Sequence, residues 1–262
     1  MTRLGLAVLL LLIVTPVQAR DVYALQGRAT GSPVDDCIAL RWVGEVLFYN
    51  DGSAPEVIML RNVSNGGPAP GVSQQFVILP HAGTTLSANV DWRRAIPEGV
   101  WVLHMDVPDS VSVESSIEIG EESCALGSPP ADGARGRITY PVFETQQPAN
   151  VGKIHLGTDL SLIPTRNNVT VYNAGAAPAT ARVEVRQLCD NQIVDARFFD
   201  VPADTAVQVT GLSTATTCAT DKPYLTYVTV VVDQPSLSWV TSIANTPDLR
   251  VLVSGATSTS RP

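Results

Sequence analysis

Charge is what this chain of 262 residues has least of: Asp, Glu, Lys and Arg make up 16% of it, against roughly 25% in an average globular protein. Helices draw on Lys, Glu, Arg and Leu, so the deficit argues against a helical fold. Acidic residues outnumber basic ones 25 to 17, giving a net charge of −8, and no Lys/Arg cluster offsets it. A polyanion would be repelled, which excludes nucleic acid as a partner. Histidine is confined to His81, His104 and His155. There is no Gly-x-Ser-x-Gly elbow, no His-Glu-x-x-His pair and no phosphate-binding glycine loop, so hydrolytic and nucleotide chemistry lack their parts. No Cys-x-x-Cys occurs and no histidine adjoins a cysteine, which argues against zinc. These absences lead us to expect a protein that is not an enzyme and carries no cofactor.

The longest apolar run, Leu4 to Pro16, follows Met1-Thr2-Arg3 and precedes Val17-Gln18-Ala19. A cationic start, a short apolar stretch and small residues at its end form a secretory signal, with cleavage expected after Ala19. The run is shorter than the roughly 20 residues of a membrane-spanning helix. No later stretch is long and apolar enough to span, so the mature chain is expected to be secreted or periplasmic, without a membrane span.

The composition that remains is rich in Val, Thr, Ser, Ala, Gly and Pro, the mixture of strands and turns. Val46-Leu47-Phe48-Tyr49-Asn50-Asp51-Gly52-Ser53-Ala54-Pro55 returns as Val169-Thr170-Val171-Tyr172-Asn173-Ala174-Gly175-Ala176-Ala177-Pro178, 123 residues later. Phe76 to Pro80 matches Phe198 to Pro202 at a spacing of 122. Asp106-Val107-Pro108 is echoed by Asp233-Gln234-Pro235, and Ser112 to Ile117 by Ser238 to Ile243. Colinear matches at so long a period indicate two whole units in tandem, because solenoid repeats run about 20 to 50 residues. In each unit a period-two strand ends at Asn-x-Gly, where glycine suits a left-handed turn. Later, Asp-x-Pro is expected to turn the chain into a final strand.

Roughly six or seven strands per unit, with turn signals between them, predict an all-β chain of two immunoglobulin-like β-sandwiches in tandem. Periodicity alone also admits a barrel. The expected organisation is a leader over residues 1–19, a first unit over 20–126, a Gly/Pro/Ala-rich linker over 127–137, a second unit over 138–253 and a flexible tail over 254–262. Cys37 with Cys124 and Cys189 with Cys218 would place one disulfide inside each unit, as an oxidising compartment permits. The segment Asn173 to Ala179, leading into Arg182-Val183-Glu184-Val185 and later Val230-Val231-Val232-Asp233, resembles the immunoglobulin-like domains of bacterial cell-adhesion-related secreted and surface proteins. That resemblance implies a seven-stranded sandwich serving as spacer or binding module, with no catalytic residues.

Few side chains stand out as chemistry. His104, within Trp101-Val102-Leu103-His104-Met105, shares a strand face with Val102 and reads as a structural histidine. His81 has Ala203 as its aligned counterpart. Asp35-Asp36 and Glu121-Glu122 are neighbours on strands, so their side chains diverge to opposite faces and cannot act together. Asp106 and Asp109 are the densest calcium candidate, since a hard cation needs several oxygens from one loop. Trp239, beside Leu237, reads as core, whereas Trp92, in Asp91-Trp92-Arg93-Arg94, is the candidate binding hot spot. The expected function is an interaction or scaffold protein whose partner is another protein or a surface polysaccharide. The alternatives are a periplasmic assembly chaperone of two sandwiches, with Arg135, Arg137 and Lys153 near the linker, and a carbohydrate-binding module using Trp92.

Overall fold

Alternation of apolar and polar residues dictates most of what forms. Along Ala179–Gln187, Ala179, Ala181, Val183 and Val185 are buried while Thr180 and Arg182 are exposed, the pattern of a strand with one face on a core. The computed structural model describes residues 19–35, 38–64, 74–87, 99–123, 136–144, 149–156, 165–213, 226–244 and 251–252. Among these there is no helix. The strands are β1 (Ala19–Asp35), β2 (Ile38–Asn50), β3 (Glu56–Ser64), β4 (Gln74–Ile78), β5 (Gly83–Ser87), β6 (Gly99–Pro108), β7 (Val111–Ser123) and β8 (Gly136–Tyr140). There follow β9 (Phe143–Glu144), β10 (Ala149–Leu156), β11 (Thr165–Asn173), β12 (Ala179–Gln187), β13 (Ile193–Val201), β14 (Thr205–Leu212), β15 (Thr226–Ala244) and β16 (Val251–Leu252).

Hydrogen bonding joins β1 to β9 into one sheet and β10 to β16 into another. Each sheet folds over itself because one long strand changes partners. The first part of β1 pairs with β6 and its last part with β2. Likewise Thr226–Val232 of β15 pairs with β12, and Ser236–Ala244 with β11. The layers so formed enclose one core of Val22, Phe48, Ile58, Trp101, Leu103 and Met105 and another of Val169, Val171, Val183, Val201, Val228 and Val230. This all-β packing is consistent with β-sandwiches.

The two sheets repeat one pairing scheme. In the first, β2 pairs with β5 and β7, β3 with β4 and β6, β6 also with β1, and β7 with β8. In the second, β11 takes the place of β2, β12 of β3, β13 of β4, β14 of β5 and β10 of β1. The two parts of β15 stand for β6 and β7, and β16 for β8. Register corrects the sequence alignment. Val46 opposite Leu86 corresponds to Val169 opposite Val209, and Glu56 opposite Ile78 to Ala179 opposite Val201, so the offset is 123 through β4 as well, not 122. Asn50 opposite Val111 corresponds to Asn173 opposite Ser236, which makes the offset 125 over the third block. Proline at the wrong register had drawn both matches, whereas hydrogen bonding fixes strands by the residue.

Two further expectations change. Asp106-Val107-Pro108 remains within β6 and the turn falls at Asp109–Ser110, while Asp233-Gln234-Pro235 stays inside β15 where it passes between layers. Residues 136–144 pair with β7 and β1, so the stretch assigned to the linker's end and the second unit's start joins the first sheet. The leader's residues 1–18, linker residues 127–135, the tail 254–262, Trp92, Asp36, Cys37, Cys124 and Cys218 lie outside the described residues. Cys189, in the turn after β12, is held in a disulfide whose other cysteine lies outside them too.

Candidate functional site

What the repeat keeps is structural, and one hydrogen-bond node shows it. Asn50 and Asn173 are both fully buried. The Asn50 side-chain amide donates to the carbonyls of Ala54, Ile78 and Leu79 at 2.8, 3.1 and 3.3 Å. Asn173 donates to those of Ala177, Val201 and Pro202 at the same three distances. The Oδ1 of each accepts the amide of Gly52 or Gly175 at 2.8 Å. Glycine is needed there for closeness, not for a left-handed backbone. A Cβ on Gly175 would meet Gln234 Oε1 at 2.8 Å and Asn173 Oδ1 at 3.0 Å. In the turns that follow the β4 and β13 strands, His81 and Asp204 are left-handed, at φ 53° and 52°. They are 123 residues apart, so the counterpart of His81 is Asp204 and not Ala203.

What the repeat does not keep is a polar cluster on the outer face of β1 and β6. Register sets Asp21 opposite Asp106 and Tyr23 opposite His104. Asp21 accepts a hydrogen bond from His104 Nε2 at 2.9 Å, and since an ionised carboxylate only accepts, Nε2 carries the proton. The Tyr23 ring lies flat on the imidazole, centroids 4.5 Å apart and 12° from parallel. Arg61 belongs to an irregularity in the β3–β6 register, between Leu60 and Asn62. Such a bulge re-aims a side chain. Here the guanidinium Nε donates to Asp106 Oδ1 at 2.5 Å while its NH2 group meets Oδ2, and the carboxylate raises the guanidinium pKa. The corresponding positions in the second sheet are Val151, Lys153, Thr229 and Val231, and β12 runs against β15 without a bulge.

His104 thus sits where the sequence expected, on Val102's face, but as a member of a network. Asp21, His104 and Asp106 bring ligand atoms within 4.8 Å of one another. Those atoms are already engaged: Arg61 spans both oxygens of Asp106, and His104 bonds Asp21. A cation would have to displace a bidentate guanidinium, and Arg61 compensates one of the two carboxylates that face each other across the strands. Asp109, the other half of the calcium candidate, points to Arg20 at 3.7 Å instead. Arg20 also donates to the carbonyls of Pro108 and Val111 at 2.8 Å each and to Glu144 at 3.2 Å.

Beside the cluster the sheets dock. Leu25, Val102 and Ile117 of the first sheet, Tyr140 and Phe143 of the connection, and Tyr172, Ala206, Leu237 and Trp239 of the second form one buried group. Trp239 is therefore core, as expected, but of the junction between sheets. Its indole donates to the Pro141 carbonyl at 2.9 Å, and Phe143 meets its ring edge-on at 5.0 Å. Tyr23 approaches Tyr172 at 6.1 Å, and the Tyr172 hydroxyl donates to Asp204 at 2.6 Å.

Burial pushes the Tyr140 phenol up to about 12, partly opposed by the hydrogen bond from Thr241. Burial, helped by Asp204, raises Tyr172 as well, and burial with Asp21 and Asp204 raises Tyr23. A group that holds its proton more tightly when folded contributes no penalty below its unfolded value, about 10 for tyrosine. For Tyr140 stability should then fall as pH rises from about 10 towards 12, by roughly 1 kcal/mol per pH unit. Urea midpoints across this window, read with phenolate absorbance, should show ionisation arriving together with unfolding. Tyr140→Phe should flatten the slope; an unchanged slope would refute the assignment.

No protein-family model, curated protein or solved structure matches the chain. Among the described residues no helix is long and apolar enough to cross a membrane.

Proposed function

We propose that the chain is an exported, non-enzymatic interaction or scaffold protein built from two immunoglobulin-like sandwiches that share a buried junction. The observation that carries this reading is the split between shared and unshared residues. The halves share core, turns and the buried asparagine node, and the polar side chains Asp21, Arg61, His104 and Asp106, which the second half lacks, bond to one another. The resemblance to adhesion-related domains supports the same direction. The test is a turnover screen of the mature chain against ester, peptide and glycoside substrates, run with crosslinking capture on intact host cells. Binding to the surface without turnover is the expected result; turnover abolished by His104→Ala would end the reading.

Within this reading Cys189 pairs with Cys218 and Cys37 with Cys124. Peptide mapping without reductant should recover those two linked pairs, whereas a Cys37–Cys189 link would join the halves and contradict their independence.

A second reading, a periplasmic assembly chaperone, is supported by the ends of the sheets. β4 and β13 are terminal strands among the described residues and expose Val77 and Phe198, and a client strand adds to such an edge. Co-expression with a pilus-type subunit should then yield a stable complex, and its absence would remove this reading.

A further inference from the structure

The polar cluster on β1 and β6 carries one negative charge more than it balances. Register sets Asp21 directly opposite Asp106, and like charges so placed repel. Arg61 answers Asp106, while Asp21 has the hydrogen bond from His104 Nε2. Two carboxylates against one guanidinium leave one charge over. The fold does not ask for this set: at the positions of Asp21, His104 and Asp106 the second sheet has Val151, Thr229 and Val231, with no carboxylate or imidazole among them, and its ladder forms all the same.

We propose that Asp21, His104 and Asp106 form a binding site for a divalent cation of the zinc class, and that the Arg61 guanidinium is the group the ion displaces. The three ligand atoms lie within 4.8 Å of one another. A tetrahedral ion with bonds of about 2.0–2.1 Å holds its ligand atoms about 3.3 Å apart, so the set has to draw in by at most about 1.5 Å. Asp21, whose side chain is 58% exposed, can turn to do so, while Tyr23, stacked on the imidazole, fixes the plane of the ring. One imidazole and two carboxylates are a zinc set, since zinc takes mixed nitrogen and oxygen ligands; calcium calls for about six to eight oxygens. Three protein ligands leave a position for water. Arg61 gives way readily: its side chain is 56% exposed, and an exposed ion pair contributes little. On binding, Nε2 loses its proton to solvent, Arg61 turns outward, and the dication between the two carboxylates removes the charge left over. Asp21 and His104 are 83 residues apart, so strand register, and no sequence motif, writes the site.

The proposal goes beyond the interaction reading and does not depend on it. Its test is calorimetric titration of the mature chain, treated with chelator and carrying no histidine tag, with zinc chloride alone. One zinc should bind per chain in the micromolar range. Arg61→Ala should bind about 5- to 10-fold more tightly, because the competing cation is gone. His104→Ala and Asp106→Asn should each weaken binding by at least about 100-fold, more than the loss of a group that only orients a ligand. His81→Asn, at an exposed histidine in the turn after β4, should titrate as wild type does. A variant that had merely lost its fold could not gain affinity, so Arg61→Ala separates a site from damage. A wild type that takes up no zinc, uptake that survives His104→Ala, or an Arg61→Ala protein that binds no more tightly than wild type would overturn the site. Surface binding by such a protein would leave the interaction reading intact.

Discussion

Trp239→Ala should destabilise the protein by about 3–5 kcal/mol, the range for removing a large buried aromatic side chain, and split one unfolding transition into two. The indole is almost wholly buried, meets Phe143 edge-on and donates to Pro141. Truncation therefore opens a cavity and leaves a part-buried carbonyl without its donor. The site couples the sheets: Phe143 and Pro141 belong to the connection, Phe143 pairs with Tyr23 of β1, and Trp239 pairs with Thr170 of β11. Without the indole, the two cores keep their own contacts and lose their common one. Calorimetry of wild type should give a single cooperative peak, and the variant should give two. Val77→Ala, exposed on β4 and outside the junction, should shift stability by less than about 0.5 kcal/mol. Equal losses from the two substitutions, or a single undiminished peak for Trp239→Ala, would show that the junction is not where the sheets are coupled.

The junction also marks how far the sequence could be read. Alternation along Val169–Val171 and Val183–Val185 made strands of the right segments, and Trp239 beside Leu237 made a buried tryptophan. Nothing in a single strand says which core it serves, and Trp239 faces outward from its own sheet into the other. The polar cluster was less legible still. Asp21 and His104 are 83 residues apart and meet only through the β1–β6 register, while Arg61 reaches Asp106 through a bulge that no periodicity encodes. Asp-x-Pro drew attention as a turn and as a calcium candidate because proline and carboxylates are conspicuous, but in β6 the ladder continues through them. Asn-x-Gly was read for its glycine's backbone freedom, whereas the asparagine organises the turn and the glycine's small size admits it.

That asparagine yields the second large effect and tests the duplication most directly. Asn50→Ala and Asn173→Ala should each cost about 3 kcal/mol. Each change leaves buried carbonyls without a donor and one glycine amide without an acceptor, at roughly 1–3 kcal/mol per orphaned group, lessened where water enters. The two losses should agree within about 1 kcal/mol, because partners, distances and burial are the same in both halves. Aspartate makes the argument sharper. Asn173→Asp keeps Oδ1 for Gly175 but turns a donor into a carboxylate oxygen facing the carbonyls of Ala177, Val201 and Pro202. Burial and those carbonyls would raise its pKa above the ordinary value of about 4. A raised folded value means the variant's full stability is present below the unfolded value and is lost as pH rises through the folded one. Asn173→Asp should therefore approach wild type in acid and fall below Asn173→Ala at neutral pH, with Asn50→Asp behaving alike. Denaturant unfolding of the four variants at acidic and neutral pH checks both statements, and a node in one half that tolerates what the other does not would break the equivalence of the two units.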